Sequence, residues 1–222
     1  HRTTDTTNPA HRIADTTNPA HRTTDTTNPA HRTTDTTRPI IIAAGGTGGH
    51  FFPAEALAAE LIARGHRIIL MTDARTAPRL GALFADREHH VLRGAGIAGR
   101  GPIRAVKAVL ALIAGIMQAR ALILHLRPSI VVGFGGYPCV APVLGAALTS
   151  RRPAIVLHEQ NGVLGRANRF LTGCCDTLAL SLAATRRIPA RVASVVTGNP
   201  VRPAIQALAN AGYTAPTDTI RL

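Results

Sequence analysis

From Pro39 onward the chain alternates short apolar runs with segments whose apolar positions recur at helical spacing. Residues 40–44 are continuously apolar, as expected of a strand buried on both faces of a parallel sheet. A glycine-rich stretch follows. Residues 53–64 then read as a helix, with Pro53 in its first turn and Gly65 just past its end. Residues 67–72 predict a second strand, and residues 103–126 a long helix stopped by Pro128. Residues 130–132 predict a strand running into Gly133-Phe134-Gly135-Gly136-Tyr137, followed by a helix over 140–149. Residues 154–157 predict another strand, running into His158-Glu159-Gln160-Asn161-Gly162, and fainter strands fall at 177–180 and 192–196. Strands alternating with helices imply an α/β fold, a Rossmann-like parallel sheet with flanking helices. Ligands of such sheets sit at the carboxyl ends of the strands, where the glycine-rich and polar stretches of this chain fall.

The first 37 residues break this pattern. They are four copies of a ten-residue unit, HRTTDTTNPA with small variations, and Ile13 is their only large apolar residue. Such a segment cannot bury enough surface to offset the entropy of ordering, so a disordered tail is expected over 1–37. Its evenly spaced histidines suggest metal binding less readily than a simple repeat expansion.

The four Arg and four Asp of this tail cancel, so the net charge of +13 falls on residues 38–222. Between Glu88 and Glu159 there is no carboxylate, while Arg93, Arg100, Arg104, Lys107, Arg120, Arg127, Arg151 and Arg152 lie in that interval. Such a field attracts an anionic surface or a phosphorylated substrate. Nucleic acid is not expected as a partner, because aromatic residues make up only 3% of the chain and platforms for base stacking are scarce. Cys139, Cys174 and Cys175 are odd in number and form no C-x-x-C, which argues against a disulfide scaffold or a zinc site. The apolar stretch from Ala108 to Leu126 is interrupted by Gln118, Arg120 and His125, so a membrane-spanning helix is not expected there. No signal peptide is expected from the first residues of this sequence.

Three stretches carry candidate chemistry. Gly45-Gly46-Thr47-Gly48-Gly49-His50 lies between a strand and a helix. Its glycines permit close backbone approach, and the amides of a helix start favour phosphate or a polar sugar-phosphate group. Read as a dinucleotide fingerprint, it places Phe51 at the last glycine, with Asp73 as the acid for a ribose; an NAD-binding domain is the weaker alternative. His50 is a candidate general base, an imidazole on a ligand-facing loop. The polar run from His158 to Asn161 suits hydroxyl and amide groups of a sugar, although Glu159 could equally brace its own loop. Arg202, in Gly198-Asn199-Pro200-Val201-Arg202, could pair with a phosphate.

GGTGGH, GFGGYP, VLHEQNGVLGRANR and TGNPVR occur in one order and at spacings that together resemble the MurG family over residues 38–205. That family comprises the bacterial UDP-N-acetylglucosamine:N-acetylmuramyl-(pentapeptide) pyrophosphoryl-undecaprenol N-acetylglucosamine transferases. The resemblance implies the amino-terminal half of a GT-B glycosyltransferase, the half that takes the lipid-linked acceptor, lipid I. It implies an inverting transfer from UDP-N-acetylglucosamine to the acceptor's 4-hydroxyl, with no metal and no other cofactor. By motif position, His50 resembles the base. Thr47, Gly48, Gly49, Tyr137, His158, Glu159 and Asn161 resemble cleft residues, Asn161 near the donor sugar, and Arg202 resembles a ligand of the donor pyrophosphate.

The same resemblance implies a peripheral enzyme on the cytoplasmic face of the plasma membrane. Ile97, Ile103, Val106, Leu110 and Ile113 then form a candidate membrane stripe, flanked by Arg100, Arg104 and Lys107. The competing reading makes this stripe the core face of a helix. Residues 206–222 are expected to be a hinge and the first residues of a donor-binding domain absent from this chain, which would leave the fragment inactive alone. A non-catalytic module that binds the glycolipid is the alternative to an enzyme.

Overall fold

The computed structural model describes residues 37–93, 102–209, 211 and 212. The repeat tail up to residue 36, Ile97, Arg100 and residues 213–222 lie outside the described residues, as does the side chain of Arg104. Among the described residues, seven strands and six α-helices follow in chain order: β1 (Ile40–Ala43), α1 (Gly48–Ala63), β2 (Ile68–Asp73), α2 (Ala82–Ala85), β3 (His89–Leu92), α3 (Pro102–Leu126), β4 (Ile130–Gly133), α4 (Val140–Ala147), β5 (Ala154–Glu159), α5 (Arg166–Leu171), β6 (Thr177–Leu180), β7 (Ser194–Val196) and α6 (Pro203–Gln206). All pairings are parallel, in the order β3-β2-β1-β4-β5-β6-β7.

The apolar runs build two cores, one on each face of the sheet. Because side chains alternate across a strand, Ile41, Ile69, Val131 and Ile155 face one core, together with α4 residues Val140, Val143 and Ala146. Ile40, Ile42, Ile68, Leu70 and Val132 face the other, against Phe51, Ala54 and Ala58 of α1 and Phe84 of α2. Burying one such aliphatic or aromatic side chain contributes about 1.5–3 kcal/mol. The order of strands reverses between β1 and β4, so the loops that leave these two strands diverge to helices on opposite faces. A crevice opens at their carboxyl ends, the usual ligand position in such sheets.

The short helices α2, α5 and α6 were not foreseen, and four further elements differ from the sequence expectation, each for a local reason. α1 begins at Gly48 rather than Pro53, because glycines give its first turn no apolar signature; Pro53 lies inside the helix and withdraws one N–H from it. β3 went unforeseen: its pattern is polar at the start, and only Leu92 is buried. β5 runs on through His158 and Glu159, which are buried rather than in the loop. β7 starts at Ser194, two residues late, and is exposed throughout as an edge strand.

α3 is long and apolar enough to cross a membrane by length and composition. Its packing is that of a domain helix on one side only. Ala108, Ala119 and Ile123 are buried, with Ala119 against Gly145 of α4. Ile103, Val106, Leu110 and Ile113 are 73%, 58%, 60% and 50% exposed, and Val109 and Met117 continue that face. The stripe is therefore not the core face of the helix. Gln118 tethers α3 to the sheet edge, accepting from the Arg93 N–H and donating to the Val91 carbonyl.

Candidate active site

Three loops leaving β1, β4 and β5 converge on a cavity of about 480 Å³ lined by His50, Gly135, Gly136, Tyr137, Asn161 and Asn168, among others. Gly135 and Gly136 have φ of 84° and 72°, a left-handed conformation that favours glycine. This double turn lays their backbone against the His50 ring: a Cβ at either position would lie 3.4 Å from it. The Cys139 thiol lies 2.9 Å from both the Ala43 and Gly135 carbonyls, linking the ends of β1 and β4. Burial pushes that thiol up to about 12, so it is a packing group and not a nucleophile.

His50 stands in the first turn of α1, half-buried, with Nδ1 3.0 Å from Oε1 of Gln160. Nε2 makes no hydrogen bond among the described residues. Gln160 is held in turn by Phe134: its Nε2 donates to the Phe134 carbonyl at 3.1 Å and lies 3.0 Å from Nδ1 of His158. His158 is buried at the end of β5, its ring 5.2 Å from that of Phe134 and its Nε2 3.1 Å from the Gly198 carbonyl. Burial pulls the His158 imidazole below its ordinary range; the Gly198 carbonyl and the Glu159 charge oppose that only in part.

Glu159 is fully buried, and both its oxygens are engaged. One accepts from the backbone N–H and side-chain amide of Asn161, the other from Gly165 N–H and Asn168 Nδ2. Four donors on one carboxylate make it the brace that folds the loop after β5. Asn161 is thereby oriented: one hydrogen of its Nδ2 is given to Glu159, leaving the amide oxygen and one N–H to offer a ligand. Sequence reasoning missed Asn168, carried within the RANR segment. Its Nδ2 also donates to the His158 carbonyl, and its buried Oδ1 has no partner.

Thr47 caps α1 by position only, without a side-chain hydrogen bond. Tyr137 lines the cavity, but its hydroxyl is buried, unpartnered, and borders a small second pocket with the equally unpartnered Thr72 hydroxyl. Gly48, Gly49 and Arg202 line a neighbouring cavity of about 450 Å³, not the one at His50. There the Arg202 guanidinium lies 4.1 Å from the centre of the Phe52 ring. Ile103, Lys107 and the rest of the exposed α3 stripe take no part in either cavity.

The geometry speaks against the dinucleotide reading. Asp73 accepts from the Thr76 N–H and hydroxyl and from Arg75, and Thr76 Oγ1 takes the Gly46 N–H at 2.8 Å. Burial pushes the Asp73 carboxyl up, but the hydrogen bonds from Thr76 and Arg75 outweigh it and hold the group below its ordinary range. The acid that would hold a ribose is thus committed to ordering the glycine loop.

Comparison with known proteins agrees with this architecture. The glycosyltransferase family 28 N-terminal domain matches residues 40–180. A UDP-N-acetylglucosamine--N-acetylmuramyl-(pentapeptide) pyrophosphoryl-undecaprenol N-acetylglucosamine transferase of Granulibacter bethesdensis is 60% identical over 80% of this chain and 46% of its own length. A protein of the same description from Acidiphilium cryptum is 57% identical over 82% of this chain and 50% of its own. The chain thus spans about half the length of the curated relatives it matches. A crystal structure of Acinetobacter baumannii MurG superposes with a TM-score of 0.60 at 23% identity, covering 74% of this chain and 46% of that one; at that identity the likeness concerns the fold. The chain belongs to glycosyltransferase family 28, whose N-terminal domain it carries.

Proposed function

We propose that this domain is the acceptor-binding half of an inverting N-acetylglucosaminyltransferase. The acceptor is muramyl-pentapeptide pyrophosphoryl-undecaprenol, and the donor is UDP-N-acetylglucosamine. The observation that carries the reading is His50: an imidazole in the first turn of α1, at the crevice where the strand order reverses, with one ring nitrogen free. In the reaction His50 takes the proton of the acceptor's 4-hydroxyl as that oxygen attacks the anomeric carbon of the donor, and UDP departs. A positioned base contributes about 10²- to 10⁴-fold.

The two cavities suit a divided task. The one at His50, with the Asn161 amide oxygen on its wall, fits sugar hydroxyls. The one beside the amino-terminal turn of α1, with the Arg202 cation, fits a phosphate group, since both the helix start and the guanidinium favour negative charge. The remaining donor contacts belong, in this reading, to the half of the relatives that this chain does not span, with residues 206–222 leading toward it. The exposed apolar surface of Val201, Ile205 and Leu208 supports a covering element there.

The membrane is the third party. An acceptor on a polyprenyl chain requires the domain to meet a lipid surface. The outward stripe of α3, with exposed Lys107 beside it, offers apolar and cationic groups together. We place the protein peripherally on the cytoplasmic face of the membrane. A glycolipid-binding module without catalysis would share all of this except the dependence of transfer on His50. The test is transfer of labelled N-acetylglucosamine to lipid I by this chain joined to the second half of its Granulibacter relative, with and without His50.

A further inference from the structure

Gln160, like His158, lines neither cavity, yet its amide bonds to both histidines of the site. The Phe134 carbonyl can only accept, so the amide group 3.1 Å from it is the NH₂. That fixes the orientation of Gln160, leaving Oε1 to face His50 at 3.0 Å. An amide oxygen has no hydrogen to give, so Nδ1 of His50 must carry one. The second hydrogen of the NH₂ group is directed at Nδ1 of His158, also at 3.0 Å, with a longer contact of 3.4 Å to the His158 carbonyl. Nδ1 of His158 must then be bare and its Nε2 protonated, and Nε2 indeed faces a carbonyl, that of Gly198, at 3.1 Å. Reversing either neutral ring sets two donors or two acceptors against each other.

We propose that Gln160 is a positioning residue that locks His50 and His158 in opposite tautomers, so that His50 presents a bare Nε2 to the cavity. The order of command runs from the backbone outward. The Phe134 carbonyl, at the end of β4, orients the amide; the amide sets both rings; the Gly198 carbonyl, beyond β7, anchors the far end. A ring free to adopt either tautomer would offer the lone pair on Nε2 only part of the time. The value of that lone pair rests on the acceptor-site reading above, but the tautomers themselves do not, and they can be read without turnover.

The experiment is nitrogen-15 NMR of the histidine-labelled 222-residue chain at pH 8, with His50→Gln used to assign the His50 signals. The expected result is a protonated Nδ1 and a bare Nε2 for His50, and the reverse for His158. Gln160→Leu removes the acceptor and should release His50 toward the Nε2–H form. Gln160→Glu keeps an acceptor but loses the NH₂ group, and should hold the His50 tautomer while freeing His158. A wild-type His50 carrying its hydrogen on Nε2, or averaging between forms, overturns the proposal whatever the variants do. So does an unchanged His50 pattern in a folded Gln160→Leu. Locked tautomers here, with no transfer by the folded joined protein described above, would leave this relay standing and sink the functional reading instead.

Discussion

His158 and Glu159 show how far single residues can be read from a sequence. Both are polar residues after an apolar run, a position that suits ligand contacts or, for Glu159, a brace of its own loop. Both belong to the strand, and Glu159 braces the loop while also lining the cavity at His50. Glu159 collects donors two, six and nine residues further on, at spacings that no periodicity announces. The placement of His50 at the crevice was legible, because a histidine closing a glycine loop after a strand lies at the carboxyl ends of the sheet. Arg202 was legible as a cation free to pair with a phosphate, but neither its place beside the start of α1 nor its separation from His50 was, since both depend on which side of α1 each loop passes. A pH prediction belongs at this scale. Burial holds the His158 imidazole below its ordinary range, and the ring is flanked by the Gln160 amide, the Gly198 carbonyl, the Phe134 ring and the Glu159 carboxylate. Its depressed folded value means the unfolded chain binds the proton more readily. Its contribution to stability is therefore whole above about 6.5, the ordinary imidazole value, and is lost as pH falls through the lower folded value. Urea midpoints at pH 8, 6.5 and 5 should fall with acidification, and fall less in a folded His158→Gln variant. Equal falls in both would show that His158 carries none of the effect.

At the scale of elements, apolar runs placed all but one of the strands within a few residues, because strands buried on both faces need little else. β3 escaped since an edge strand pairs without apolar residues on both faces. The start of α1 escaped because its first turn is built of glycine and histidine. The close approach of α3 and α4 was not legible either, since the small residues that permit it, Ala119 and Gly145, look like any other pair in apolar helices. A Cβ at Gly145 would lie 2.8 Å from the Ala119 Cβ and 2.9 Å from the Arg120 backbone nitrogen. Helix propensity alone favours Gly145→Ala by about 0.5–1 kcal/mol. Crowding against backbone should outweigh that, at about 1–3 kcal/mol for overpacking. Gly145→Ala should thus lower the melting temperature; a rise would mean the two helices separate at little cost.

Over the whole molecule, the parallel sheet and the convergence of three loops on one rim followed from the alternation of strands and helices together with the rule that ligands sit at strand ends. The two-sided character of α3 did not, because the same apolar composition serves a core face and an outward stripe. That stripe predicts binding to vesicles containing anionic lipid, with each basic residue near the surface contributing roughly 1 kcal/mol. Changing Arg100, Arg104 and Lys107 together to Glu should lower sedimentation with anionic vesicles by a hundredfold or more in partition constant, at about tenfold per 1.4 kcal/mol. Equal sedimentation with neutral vesicles would contradict an electrostatic role. The central claim, that His50 is the base of a sugar transfer, is tested most directly by labelled N-acetylglucosamine incorporation into lipid I by the joined protein described above. The account predicts transfer, and a loss on the order of 10²- to 10⁴-fold in a folded His50→Ala variant, the range for a missing general base. Transfer within tenfold of the unaltered protein in that variant, or none from a folded protein carrying His50, would contradict it.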